Sequence, residues 1–225
     1  MPHGKTEAWY ILSAAPHAKV AVGLKWRPTS QQLRTAIEDG SIADMIFWRH
    51  VQSGEVVFVP AGTIHAIGPG LIIAEIQQRS DATFRLFDFG RERELHVADA
   101  VAVARAGPSD AQTASRRLSD VRTLLIACPY FVLERIDLEA YSNWQLNAAS
   151  ETWLLVLDGH AQVGPTSLST GKAAFLEADR TTIQVDAGRF SGLVAYVSAN
   201  PTRNLLRALT GRAADSLALS SEVIF

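Results

Sequence analysis

Short runs of aromatic and β-branched residues, cut at close intervals by glycine and proline, constrain this chain more than any other feature. Residues 7–12, 19–25, 55–59, 71–76 and 83–87 have the composition of strands. Ser53-Gly54, Pro60-Ala61-Gly62 and Gly68-Pro69-Gly70 supply turn signals among them. Such spacing predicts an antiparallel barrel or sandwich rather than βαβ units. One helix interrupts the pattern. Thr29 or Ser30 can cap it, Gly40 can stop it, and Leu33, Ala36 and Ile37 share a face. The insertion continues through residues 42–48, so it covers about 29–48.

Residues 104–120 are rich in Ala, Ser, Arg and Asp and lack alternation, which reads as a linker. Strand-like runs resume at 121–127, 130–138, 151–158, 173–176, 181–185 and 193–197, with Asp158-Gly159 as a hairpin turn. Residues 202–211 read as a short helix. The expected fold class is mainly β: two β-barrel lobes, 1–105 and 121–225, joined by a linker over 106–120. At 225 residues the chain is long enough to bury a sizeable core. The tryptophans at 9, 26, 48, 144 and 153 read as core or rim.

The densest chemical signal is the stretch 54–85. Gly54, Pro60, Gly62 and His65 mark a strand, a corner and a second strand that opens with a histidine. Proline fixes φ at such a corner and glycine admits positive φ. Imidazole suits zinc, iron, copper or nickel. His65 is either a ligand aimed into the barrel or a turn-adjacent core histidine held by a backbone carbonyl. Glu75 lies among Ile72, Ile73 and Ile76. It is either a partly desolvated acid beside His65 on a neighbouring strand, suited to proton transfer, or an outward, solvated glutamate. Arg85 is either an anion clamp or a surface arginine.

The Gly54-to-His65 spacing resembles the second motif of the cupin superfamily of β-barrels, which gives the two lobes their expected jelly-roll form. Residues 2–12, with Lys5-Thr6-Glu7, and residues 59–91, with Pro60-Ala61-Gly62-Thr63-x-His65 and Glu75-x-Gln77-Gln78-x-Ser80-Asp81-x-Thr83-x-Arg85, together resemble type I phosphomannose isomerases. That resemblance implies a zinc-dependent aldose–ketose isomerase that interconverts mannose 6-phosphate and fructose 6-phosphate through a cis-enediol. It implies Glu7 and His65 as zinc ligands. Lys5 lines the substrate site, and Glu75, Asp81 and Arg85 take the acidic and basic catalytic positions. Glu75 is the candidate base.

The family's Gln-x-His ligand pair, expected upstream of Lys5, occurs nowhere in the 225 residues. A catalytic zinc normally has three protein ligands and a water. His3 reads as a terminal histidine. Three accounts compete: the natural protein is longer, the chain is a degenerate cupin that binds sugar phosphate or metal without catalysis, or a neighbouring chain supplies ligands. We take the first. The second lobe reads as metal-free.

Lys plus Arg number 21 and Asp plus Glu 23, a net charge of −2, so no footprint for nucleic acid or an anionic membrane is expected. No run of apolar residues is long enough for a membrane helix. A lone cysteine, Cys128, excludes an internal disulfide and a Cys-based zinc cluster. The expected partner is a small sugar phosphate, the expected compartment the cytoplasm, and the expected state a monomer or a dimer through an exposed barrel edge.

Overall fold

The computed structural model describes residues 4–109 and 114–209. The chain divides into two compact units, Met1–Ser115 and Arg116–Phe225.

In the first unit the order is β1 (Glu7–Ala14), β2 (Lys19–Leu24), α1 (Ser30–Glu38), α2 (Ile42–Met45), β3 (Ile46–His50), β4 (Val56–Val59), β5 (His65–Ile67), β6 (Leu71–Gln77) and α3 (Val97–Val103). Two antiparallel three-stranded sheets form, ordered β4-β1-β6 and β3-β2-β5. Trp9 and Ile11 of β1, Val20 and Val22 of β2, and Val57 and Val59 of β4 make one buried cluster that the two sheets share. The other side of β2 presents Ala21 and Leu24, against which α1 packs Leu33, Ala36 and Ile37. The predicted helix is present, with Thr29 and Gln32 forming a reciprocal capping box and Asp39 as C-cap.

Several expectations are corrected here. The sheets are open, so closed barrels are not what the hydrogen bonding draws. The helical insertion ends at Met45, and residues 46–50 return to strand against β2. Residues 83–87 form no strand. Arg85 N donates to His96 Nδ1 and His96 N donates to Arg85 O, which engages that backbone with a loop. Asp158-Gly159 is a corner between two sheets rather than a hairpin, and residues 206–208 are strand rather than helix.

The second unit is all β in its described residues: β7 (Arg116–Arg117), β8 (Arg122–Ala127), β9 (Val132–Leu138), β10 (Asn143–Asn147), β11 (Thr152–Asp158), β12 (His160–Val163), β13 (Thr166–Ser169), β14 (Ala173–Leu176), β15 (Arg180–Val185), β16 (Phe190–Tyr196) and β17 (Leu206–Ala208). A five-stranded sheet, β13-β12-β15-β10-β17, and a six-stranded sheet, β14-β11-β16-β9-β8-β7, both contribute to one core. Leu146, Ala161 and Ile183 enter it from the first sheet, and Ile136, Leu154 and Phe190 from the second. One charged group is sealed within this unit. Glu134, 0% exposed, accepts from Arg122 Nε and Nη2 at 2.8 Å each and from Tyr196 OH at 2.6 Å. Arg122 also donates to the carbonyls of Thr202 and Arg203.

Candidate active site

Lys5 and Thr6 lead into β1, and Thr6 is held from two directions. Its N–H donates to Gln78 Oε1 and its carbonyl accepts from Gln78 N, while its hydroxyl accepts from Ala61 N. The entering strand is thereby fastened to the end of β6 and to the Pro-Ala-Gly corner.

Glu7 is 2% exposed. Its Oε1 accepts from Lys5 Nζ at 2.6 Å and its Oε2 accepts from Trp9 Nε1 at 3.0 Å. Trp9 is two residues further along the strand, so its side chain shares the face of Glu7. His65 opens β5, where it pairs with Val22 of β2. Its Nδ1 lies 2.8 Å from the Thr63 carbonyl, which assigns the proton to Nδ1 and leaves the Nε2 lone pair, 3.8 Å from Glu7 Oε1.

The corner that launches His65 depends on Gly62. Its φ is +83°, and a Cβ there would stand 2.8 Å from the Val103 carbonyl. Bare backbone lets the end of α3 close on the corner, where Arg105 N donates to Gly62 O. Gly23, at φ +81°, plays the same part for the next segment: Leu24 N donates to Gly107 O, and a Cβ on Gly23 would meet Ser109 N at 2.6 Å. The stretch expected to be a linker is thus docked on β2 as far as Ser109. Further on, Arg116 and Arg117 pair with β8.

Lys5 Nζ also donates to Glu75 Oε1 at 3.0 Å. Burial works against the charge on Lys5, but hydrogen bonds and attraction from Glu7 and Glu75 outweigh it and raise its pKa above the ordinary value. Glu75 stands opposite Trp9 in the β1–β6 register. It lies in a different sheet from His65 and its side chain is 31% exposed, so it is not the dry neighbour of His65 that one reading allowed.

Lys5, Glu7, Glu75 and His65 therefore converge, whereas Asp81 and Arg85 do not join them. Asp81 is exposed in the loop after β6. Arg85 donates to the Glu94 carbonyl at 2.9 Å and lies 3.7 Å from Asp88 Oδ1. Asp88 organises this loop. It is 8% exposed and accepts from both the backbone and the guanidinium of Arg93. Burial would raise its pKa, but these bonds and the arginine charges hold it below the usual carboxylate value.

A cleft of about 440 Å3 opens onto this constellation, lined by Lys5, Glu7, Thr63, His65, Phe84 and Arg105 among others. Arg105, not Arg85, is the arginine on its wall. Sequence reasoning missed Arg105 because it sits in an unpatterned Ala-rich stretch. It also missed Trp9 as a donor, although two-residue spacing from Glu7 on a strand was a usable signal.

Glu7 and His65 fit a metal ion as two of its ligands. Their donor atoms, 3.8 Å apart, suit one ion with bonds of about 2.0–2.2 Å, and the Nδ1–H···O=C bond of His65 is the orientation that ligating imidazoles take. The ammonium of Lys5 on Glu7 Oε1 shows that this oxygen attracts a cation. Among the described residues no group of three or more His, Cys, Asp and Glu side chains converges, and His3 lies outside them. In the second unit His160 is engaged by Asp186 and, at 2.6 Å, by Ser167 Oγ.

Fold and site together define a cupin-like, mainly β protein of the phosphomannose isomerase kind. The resemblance read from the sequence is borne out by known relatives. The chain is 34% identical over 153 residues to mannose-6-phosphate isomerase of Streptococcus mutans, covering 64% of this chain and 48% of that protein. The crystal structure of mannose 6-phosphate isomerase from Bacillus subtilis matches with a TM-score of 0.74 at 26% identity, covering 86% of this chain and 65% of that one. A mannose 6-phosphate isomerase solved with zinc and yttrium bound shares the fold, with a TM-score of 0.65 at 16% identity over 88% of this chain and 67% of that one. No family model matches the chain. The chain spans about half the length of the curated relatives it matches. No helix among the described residues is long and apolar enough to cross a membrane.

Proposed function

We propose that this chain serves an aldose–ketose isomerase that interconverts mannose 6-phosphate and fructose 6-phosphate through a cis-enediol. The observation that carries this reading is the convergence of a buried carboxylate, an oriented imidazole and a Lys–Glu pair at one cleft. Moving a hydrogen between C2 and C1 needs a base to lift and return a proton, and positive charge to meet the oxygen that becomes anionic. Glu75 is the base, and Lys5, 3.0 Å from it, supplies a fixed ammonium. Zinc, with Glu7 and His65 among its ligands, supplies Lewis acidity that polarises the carbonyl. Trp9 holds Glu7 in place through Oε2, and the Thr63 carbonyl sets the tautomer of His65. Arg85 is a positioning residue: tied to Asp88 and Glu94, it steadies the wall that carries Phe84.

The test is zinc content by elemental analysis together with a coupled assay on mannose 6-phosphate. Zinc uptake with turnover is expected. In Glu75→Gln, kcat should fall about 10²–10⁴-fold while zinc content is unchanged. A second reading, sugar-phosphate binding without catalysis, draws support from the two-ligand count among the described residues. Binding with no turnover in zinc-supplemented protein would select it.

A further inference from the structure

We propose that Arg105, with Arg27 behind it, holds the phosphate of the sugar phosphate, in place of Arg85. The proposal rests on the sugar-phosphate reading and adds to it the site of the anion.

A second cleft of about 490 Å3 is lined by Arg27, Ser30, Thr63, Arg105 and Ser109 among others. It shares Thr63, Ala104 and Arg105 with the cleft at Glu7 and His65, so the two are continuous along one wall. Both arginines are exposed, and among the described residues neither guanidinium has a hydrogen bond or ion pair. This sets them apart from Arg85 and Arg93, whose donors are spent on Asp88 and on the Glu94 carbonyl. The basic pair is also built into place. Arg105 is anchored by its own N–H to Gly62 O, and Gly107 leaves bare space beside Arg27, where a Cβ would meet Nε at 3.3 Å.

Charge runs in one direction along the joined cleft. At one end Lys5 is balanced against Glu7 and Glu75, which leaves an acidic, proton-transferring pole. At the other end stand two uncompensated guanidiniums with the hydroxyls of Ser30, Thr63 and Ser109 near them. Planar guanidinium forks match a phosphate dianion, whose oxygens accept several charge-assisted hydrogen bonds. A molecule with a reacting carbonyl at one end and a phosphate at the other fits this polarity.

Calorimetric titration with inorganic phosphate, mannose 6-phosphate and mannose tests the assignment. Wild-type protein should bind mannose 6-phosphate more tightly than either phosphate or mannose. Arg105→Gln should weaken mannose 6-phosphate and phosphate at least about tenfold, Arg27→Gln/Arg105→Gln further, and Arg105→Lys less than Arg105→Gln. Arg116→Gln, in the second unit, should match wild type. Wild-type affinity for mannose 6-phosphate in the double variant, with thermal unfolding unchanged, would overturn the arginine assignment and leave the isomerase reading standing. Arginine-dependent binding of phosphate with no added affinity for mannose 6-phosphate would support the anion site and overturn the sugar-phosphate reading. No binding of either phosphate compound by wild type would overturn the proposal.

Discussion

Glu7 and Glu134 are both buried carboxylates, and the two units keep them in opposite ways. Glu134 receives a bidentate Arg122 and the Tyr196 hydroxyl, and Arg122 spends further donors on carbonyls. Glu7 has one committed partner, Trp9; it shares Lys5 with Glu75, and His65 stands at 3.8 Å, beyond hydrogen-bond range. A saturated buried charge contributes to the fold and has nothing left for a ligand. An under-committed one beside a cleft has acceptor capacity aimed where a ligand can reach. Burial alone does not separate a structural acid from a functional one; the count of its partners does.

Four experiments press on that contrast. Glu134→Gln should be the most damaging, because it leaves Arg122 buried without its counter-charge: about 3–5 kcal/mol by urea unfolding. Arg122→Met combined with Glu134→Leu should recover much of that loss; a double variant as unstable as the single would show that packing, not charge, dominates. Tyr196→Phe should cost about 1.5–3 kcal/mol at neutral pH, since it removes a bond to a charged group. Its pH profile carries a sign. Burial, then the bond to Glu134, pushes the Tyr196 phenol up to about 12. A raised folded-state pKa means stability that is complete below the unfolded value of 10.0 and is lost as pH rises toward about 12. The gap between wild type and Tyr196→Phe should therefore narrow across that window.

Gly62→Ala forces a side chain onto positive φ and into the Val103 carbonyl, at about 1–3 kcal/mol. It tests whether the corner sets His65, because zinc uptake should fall with stability. Glu7→Gln should be the mildest for folding, at most about 1 kcal/mol, since Gln keeps an acceptor for Trp9 and Lys5 keeps Glu75. Its zinc affinity by equilibrium dialysis should drop at least about tenfold. A Glu7→Gln loss as large as that of Glu134→Gln would collapse the distinction between the two acids.

Much of this was legible beforehand where local chemistry decides. Alternating β-branched runs marked most of the strands, Thr29 and Gly40 bounded α1, and the Pro-Ala-Gly corner anticipated positive φ at Gly62. Within the site, Lys5, Glu7 and His65 were placed together by their family-like motifs, and the structure brings Glu75 to Lys5. What was hidden depended on distant partners. Residues 83–87 have strand composition but find no strand to pair with, because Asp88 gathers Arg93 and Arg85 around itself. Arg85 therefore looked like the free cation by motif, while Arg105, in a stretch with no pattern, reaches the cleft through a docking of backbone on glycine that composition cannot show. Residues 97–103, rich in valine, form α3 because Val97 and Val101 are buried against the α1 cluster.

The fork of Arg122 also says something about how this sequence can drift. Its donors are shared between two carboxylate oxygens on β9 and two carbonyls at 202 and 203. Lysine offers a point charge and cannot span those four acceptors. A change at 122 that keeps the lobe intact must then be accompanied by change at 134 and a rerouting of the chain at 202–203. Such linked positions move together or stay still, and in related chains this triad should be inherited as a block, while Arg27 and Arg105, each answerable only to a ligand, can be exchanged singly.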